Sequence, residues 1–410
     1  MRIAFVLTQD LESPSGLGRY FPLARQLVRR GHQVHISAIH PDYQALQSRQ
    51  LLLDGVEVSY VAPMHVRKQG SLKHYYGTPG LLAVTIRASW NLSVDVLRHG
   101  ADIIHVGKPH PMNSVAGLVG RLRSPHGLCV DCDDYEAGSM HFSSDWQRRL
   151  VAEFERRLPK IARLVTVNTQ YMRQKLLEWG VAENKIVYLP NGVDGERISW
   201  SDPRKIWELR QTLGLEGKRV VAYIGSMSLP SHPVDLLLKA FAVILKESPE
   251  TKLLIVGGGG DYPAIIEMAS QMGLGSSVVF TGRVAPQEVP AYYQLADVTV
   301  DPVYDNEAAR GRSPLKLFES WASGIPFVTS RVGDRTALLE SSQAGMLADD
   351  CTADAYARAI SEVLTSSSLA ERLRTRGLVE VQQFTWEHLA GQLEQAYLEL
   401  LVNNKTARGL

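Results

Sequence analysis

The chain has 410 residues, 45% of them hydrophobic and 21% charged, and at ~150 residues per domain it calls for two larger domains rather than one small one. Its 44 basic and 43 acidic residues leave a formal charge of +1, so no global field draws it to nucleic acid or to a bilayer. Three cysteines cannot build a disulfide framework, and the best apolar run, Gly80 to Leu97, is broken by Arg87 and Asp95; secreted mini-protein, fibrous and membrane-spanning classes are excluded.

The first apolar run, Ile3 to Leu7, ends in Thr8-Gln9-Asp10 without a small-residue cleavage site. It reads as a strand rather than a signal peptide, and a cytoplasmic enzyme or binding protein is expected. A turn over Ser13-Pro14-Ser15-Gly16-Leu17-Gly18 leads into a helix with apolar Leu23, Leu27 and Val28, which Gly31 closes. Further strands are predicted at Val34 to Ile39, Val56 to Val61, Ile103 to Val106, Leu128 to Cys132, Leu164 to Val167 and Ile186 to Leu189. They are short, rich in β-branched residues and bounded by turn residues, as strands covered on both faces should be. The pattern restarts at Val220 to Ile224. Strands at Lys252 to Val256, Val278 to Thr281, Val298 to Val300 and Phe327 to Ser330 then alternate with helices at Val234 to Lys246, Ile265 to Met272, Val289 to Ala296 and Pro314 to Ser323.

This alternation predicts an α/β chain of two Rossmann-like, doubly wound domains, 1–192 and 193–385, facing a cleft. The turn-rich Pro190-Asn191-Gly192-Val193-Asp194 reads as their hinge. A long amphipathic helix from Trp386 to Leu401 is expected to return to the first domain, giving it 386–410 as well.

The segment Arg310-Gly311-Arg312-Ser313-Pro314-Leu315-Lys316-Leu317-Phe318-Glu319 carries the most chemistry. Ser313 is a good N-cap and Pro314 suits the first helical position. A helix start with unbonded N–H groups is an anion site, and Arg312 and Lys316 add cations beside it. Glu319, one turn deeper and on the face of Lys316, is placed to accept hydrogen bonds from ribose hydroxyls. Together these residues suit a diphosphate carrying a nucleoside and a sugar. The same residues also fit a plain surface helix with a good cap, two solvated cations and an intrahelical ion pair.

The peptide Ser-Pro-Leu-Lys-Leu-Phe-Glu followed by Gly-Ile-Pro-Phe-Val (313–319 and 324–328) resembles the donor-site signature of the retaining GT-B glycosyltransferases of glycosyltransferase family 4, also called group 1. Arg30-Gly31-His32-Gln33-Val34 resembles the end of that family's first helix, Tyr188 to Asp194 its interdomain element, and Phe280-Thr281-Gly282-Arg283-Val284 its base-binding loop, so the resemblance runs the length of the chain. It implies a nucleotide sugar held mainly by the second domain and a carbohydrate or lipid-linked acceptor held by the first. The glycosidic bond would form with retention and without a metal, in polysaccharide or glycoconjugate assembly. No cofactor is implied, since the nucleotide sugar is a co-substrate. The base would lie against Arg283 and Val284, the ribose on Glu319, and the diphosphate over Ser313, Lys316 and Leu317, with Arg312 and Lys316 stabilising the departing phosphate. Gly16 and Gly18, after the first strand, match a glycine-rich loop near the phosphates. Asp133, with Asp131 and Asp134 beside it, follows the strand whose end contacts sugar or acceptor in related enzymes, so a catalytic role is implied for it. A helix-capping acidic loop fits these aspartates equally well. His110 is a further candidate of the same kind.

The chain departs from the family pattern in two places. Gly311 stands where an acidic residue is usual eight positions before Glu319, and Asp305 or Glu307 is then the nearest carboxylate for the sugar. Gly225 to Pro233, with Ser226 and His232 at donor-binding positions, lacks the usual Arg and Lys, so phosphate neutralisation would shift to Arg310, Arg312 and Lys316. Two other readings therefore stand beside a transferase: an epimerase or hydrolase of the same fold, and a nucleotide-sugar-binding subunit without turnover. Asp131-Cys132-Asp133 spells a metal-binding Asp-x-Asp of an unrelated glycosyltransferase fold, and Cys129 and Cys132 have Cys-x-x-Cys spacing. On one strand the two thiols would face opposite sides, so no metal site is expected. Gly257 to Gly260 follows a strand but does not complete a dinucleotide fingerprint. The basic stretch around Gln147 to Ala162 offers a weak peripheral contact with anionic lipid, diluted by Glu153 and Glu155 into what a solvated helix face would show.

Overall fold

The computed structural model describes residues 1–12, 16–69, 72–124, 127–139, 142, 144–195 and 202–406; Ser13, Pro14 and Ser15 of the expected first turn lie outside these. The chain divides into two compact units. The first comprises Met1–Asn191, Gly311–Ser313 and Trp386–Leu410, and the second Gly192–Arg310 and Pro314–Thr385.

The first unit is built on β1 (Arg2–Leu7), β2 (Gln33–His40), β3 (Gln50–Leu53), β4 (Val56–Pro63), the hairpin β5 (Val66–Gln69) and β6 (Leu72–Tyr75), β7 (Ile103–Gly107), β8 (Leu128–Cys132), β9 (Leu164–Val167) and β10 (Ile186–Tyr188). Apart from the hairpin these form one sheet in the order β10-β9-β8-β7-β1-β2-β4-β3, parallel except for β3, which pairs antiparallel with β4. Both faces are covered, and β1 shows why its sequence is continuously apolar. Ile3, Phe5 and Leu7 point into a core with Leu23, Leu27 and Trp386, while Ala4 and Val6 point into another with Leu92, Val96 and Val106. The Trp386–Thr406 helix buries Trp386, Leu389, Leu393 and Tyr397 in the first of these cores.

The second unit has a wholly parallel sheet of β11 (Val220–Ile224), β12 (Lys252–Val256), β13 (Val278–Gly282), β14 (Val298–Asp301), β15 (Phe327–Ser330) and β16 (Met346–Ala348), in the order β13-β12-β11-β14-β15-β16. Its strands divide their side chains the same way: Val221 and Tyr223 face one core, Val220, Ala222 and Ile224 the other. In both units the strand order reverses beside a central strand, and in open α/β sheets ligands bind at such a point, beyond the carboxyl ends of the strands.

Several elements carry no clear sequence signature: β3, the β5–β6 hairpin, β16 and the 22-residue helix Thr78–His99. That helix covers Gly80 to Leu97. Among the described residues, no helix is long and apolar enough to cross a membrane. Cys129 and Cys132 lie in the cores on opposite faces of the first sheet, and burial pushes both thiols up.

Candidate active site

The chemistry of the second unit collects at the carboxyl edge of its sheet. There β14 ends in Asp301, a carboxylate only 1% exposed at the close of a fully buried strand. Lys316 Nζ lies 3.0 Å from its Oδ1, and Arg335, in the first turn of the Asp334–Ser342 helix, donates to its Oδ2 from Nε at 3.0 Å and Nη2 at 2.7 Å. Burial pushes the carboxyl up, but Lys316 and then Arg335 outweigh it and hold Asp301 well below the usual carboxylate range. The Lys316 ammonium also sits 5.3 Å from the centre of the Tyr223 ring and 3.5 Å from His232 Nδ1. Gly225, just past β11, makes room for it: a Cβ there would come within 2.6 Å of Lys316 Cε. The Gly257–Gly260 loop packs backbone to backbone beside this glycine. A Cβ on Gly257, which has a φ of +130°, would lie 2.0 Å from the Gly225 oxygen.

Lys316 and Glu319 belong to the helix Leu315–Ala322. The capping residue is Pro314, with no side-chain cap; Ser313 is one position too early, and its Oγ accepts the Asn191 N–H at 3.1 Å instead. The expected Ser313 N-cap is thus corrected. The cause is the first turn, where Leu317 N–H closes onto the Pro314 carbonyl at 2.9 Å. That bond also takes the Leu317 amide, and the Leu317 side chain is core, so Leu315 and Lys316 supply the helix-start amides with no carbonyl four residues back in the helix. Glu319 Oε2 accepts from the Tyr293 hydroxyl at 2.9 Å. Arg283 is exposed, and its Cγ leaves no space for a Cβ on Gly258; Val284 is half-buried against the core behind β11. Ser226 is exposed, with its carbonyl bonded by the Tyr223 hydroxyl. Arg310 and Asp305, both considered for the donor, form an exposed bidentate pair at 2.7 and 2.8 Å, so each is neutralised by the other. Arg312, half-buried, groups with the first unit together with Ser313.

In the first unit the carboxyl ends of β7, β8 and β9 carry a buried charge network. Gly16 and Gly18 lie in a π-helical turn, Gly16–Tyr20, that delivers Arg19 onto Asp131: Nε to Oδ2 at 2.7 Å and Nη2 to Oδ1 at 2.8 Å. Arg19 also donates to the carbonyls of Leu189 and Pro190 and to Asn191 Oδ1, and Asp131 accepts from Thr166 Oγ1 at 2.5 Å. Asp131, named beside Asp133 for the acceptor or as a capping acid, is a buried structural carboxylate that accepts three hydrogen bonds.

Lys108 follows β7 with a φ of +65°, its carbonyl held by Asn113 Nδ2 at 2.7 Å. Its buried ammonium lies 2.6 Å from Glu136 Oε1, 2.8 Å from Asp134 Oδ2 and 3.4 Å from Asp133 Oδ1. The three carboxylates lie close enough together to ligate a metal, but this lysine supplies their cation. His110 Nε2 closes on Glu136 at 3.1 Å. Asp133 Oδ1, buried, receives no hydrogen bond among the described residues. Burial pushes its carboxyl well above the ordinary range; Lys108 opposes the shift, and Asp134, Asp131 and Glu136 add to it.

Asp301, Arg335 and Lys108 escape a reading of the sequence because nothing local marks them. The one available signal is a charged residue at the end of a β-branched strand or next to one.

Two family models match the chain, "Glycosyltransferase Family 4" over residues 16–197 and "Glycosyl transferases group 1" over 218–366. A GDP-mannose-dependent alpha-(1-6)-phosphatidylinositol monomannoside mannosyltransferase of Mycobacterium tuberculosis is 30% identical over 302 residues, 73% of this chain and 76% of that protein. A D-inositol 3-phosphate glycosyltransferase of Corynebacterium diphtheriae is 23% identical over 97% of this chain and 94% of its own length. Among solved structures, Anabaena Alr3699/HepE in complex with UDP and glucose superposes with a TM-score of 0.74 at 19% identity, covering 97% of this chain and 100% of that one. The two parallel α/β units and these matches lead to one assignment: the chain belongs to glycosyltransferase family 4, group 1, and has the GT-B fold.

Proposed function

We propose that this glycosyltransferase moves a sugar from a nucleoside diphosphate to an acceptor hydroxyl with retention of anomeric configuration and without a metal ion. The donor is held mainly by the second unit and the acceptor by the first. The observation that carries the reading is the placement of Lys316. Its ammonium reaches back from the Leu315–Ala322 helix to Gly225, beside the stretch in which the family usually keeps an Arg and a Lys and this chain has neither. One cation from the helix thereby takes the place of two from the loop. Lys316, Arg312 and the amides of Leu315 and Lys316 offset the negative charge that grows on the departing diphosphate, the role a divalent ion plays in other transferases. Glu319, its other oxygen braced by Tyr293, holds the ribose hydroxyls. The departing phosphate accepts the acceptor proton on the face it leaves, which yields retention. Asp133 orients the acceptor hydroxyl through Oδ1, which receives no hydrogen bond among the described residues. The relatives that use GDP-mannose and the UDP-bound structural neighbour support a nucleotide sugar as co-substrate and bracket the base.

The test is a coupled assay for nucleoside diphosphate release from GDP-mannose and from UDP-glucose, with and without carbohydrate and lipid-linked acceptors and with EDTA throughout. Acceptor-dependent release with an α product by NMR supports the proposal. Release without an acceptor points to a hydrolase, and binding without release points to a non-catalytic subunit.

A further inference from the structure

Lys316 is bonded to a buried carboxylate, and a lysine so paired has no charge left over for a phosphate. Arg335 resolves this. It is 2% exposed, it sits in the first turn of a helix, where a cation opposes the macrodipole, and its Nε and Nη2 both close on Asp301 Oδ2. Its remaining nitrogen, Nη1, donates to the Ala309 carbonyl at 3.3 Å. Asp301 thus faces two cations through two different oxygens, Arg335 on Oδ2 and Lys316 on Oδ1. The set of one carboxylate and two cations carries a net charge of +1. Arg335 is the better buried of the two cations, with its side chain 2% exposed against 16% for Lys316, so the more solvent-accessible end of the surplus charge is the Lys316 ammonium.

We infer that Arg335 is a positioning residue: by neutralising Asp301 it fixes that carboxylate as an anchor for Lys316 while leaving the Lys316 charge available to the donor diphosphate. The inference rests on the reading of Lys316 as a diphosphate contact and adds to it the two residues, Asp301 and Arg335, that set how much positive charge the site presents. Removing Arg335 alone brings the set to zero, so a diphosphate then competes with an unshielded Asp301 for Lys316. Removing the negative charge of Asp301 as well restores +1.

The experiment is titration calorimetry of the full chain with GDP, UDP, guanosine and uridine, comparing the wild type with Arg335→Met, Asp301→Asn, the double variant Asp301→Asn/Arg335→Met, and Lys316→Ala. Arg335→Met should weaken the diphosphate that the wild type binds by about tenfold or more, with its nucleoside affected less than about twofold. The double variant should recover to within about threefold of wild type, and Asp301→Asn alone should bind at least as tightly as wild type. Equal losses for diphosphate and nucleoside in Arg335→Met, or a folded double variant that stays as weak as the single one, overturns the inference in favour of a merely structural arginine. If Arg335→Met does not fold, the double variant and Asp301→Asn decide by the same criteria, and weaker diphosphate binding by Asp301→Asn counts against it. Unchanged binding by Lys316→Ala overturns the underlying reading instead, and is distinguishable because it leaves every variant of the set without effect on diphosphate.

Discussion

Replacing Arg19 by Met removes the most heavily bonded buried cation among the described residues of the first unit. Arg19 is 2% exposed and makes five hydrogen bonds: two to Asp131 and one each to Leu189 O, Pro190 O and Asn191 Oδ1. Burial alone would lower its pKa, but Asp131 more than reverses this, and Asp131 in turn is held below the ordinary carboxylate range. Without the guanidinium, Asp131 keeps only the Thr166 hydroxyl against full burial. An uncompensated buried charge of this kind costs about 3–5 kcal/mol, a large share of the ~5–15 kcal/mol that stabilises a typical domain. Hydrogen exchange read by mass spectrometry separates the units: amides of β1 and β8 should exchange faster by about two to four orders of magnitude, at ~1.4 kcal/mol per tenfold. Those of β11 and β12 should be unchanged. Adding Asp131→Leu should recover most of the loss, since the stranded charge goes with it. A change below about 1 kcal/mol, or one spread equally over both units, would mean that Arg19 does not neutralise a buried Asp131.

Gly225→Ala puts a Cβ 2.6 Å from Lys316 Cε, so turnover should fall by about tenfold or more with little change in thermal midpoint; normal turnover would mean that the lysine is not used where it lies. The Glu155 carboxyl, held up to about 8 by burial and the nearby Glu136, ionises first in the unfolded chain, so it contributes stability below its ordinary 4.5 that is lost as pH rises towards 8. Thermal midpoints from pH 5 to 8 should show that decline, and it should flatten in Glu155→Gln; a decline of equal steepness in the variant would contradict the assignment. Glu319→Gln should narrow the preference for a ribonucleoside diphosphate over its 2′-deoxy analogue, measured as a ratio of Kd values, and an unchanged ratio would remove Glu319 from the ribose.

The sheets were readable because both faces of each are covered. A strand such as Leu128–Cys132 is then an apolar run with a turn at either end, and that survives without any knowledge of its neighbours. The Thr78–His99 helix is harder to read because its outer face carries Leu82, Ile86 and Trp90 at 55%, 61% and 70% exposure, which erases the polar–apolar contrast that marks a helix. The Leu315–Ala322 helix was legible from Lys316 and Glu319 at one face, but its first residue was not: Ser313 looks like a cap by type, yet the first turn closes on Pro314 and the Ser313 Oγ takes the amide of Asn191, 122 residues earlier. Charge pairing was least legible of all. Lys316 has Glu319 one turn away in sequence, yet bonds Asp301, 15 residues before it, and Arg335 reaches the same carboxylate from 34 residues beyond it. Arg19 and Asp131, 112 residues apart, show the same thing in the first unit, where an aspartate that fits an acceptor contact or a helix cap by type accepts three hydrogen bonds that hold the fold.

On the proposed function, a nucleoside diphosphate binds at the start of the Leu315–Ala322 helix. Hydrogen exchange with and without saturating GDP or UDP tests it without any assumption about acceptor or sugar. Slowed exchange in peptides covering 314–319 and 225–232 is the predicted result. Protection confined to other segments, with these peptides unchanged at saturation, would contradict it.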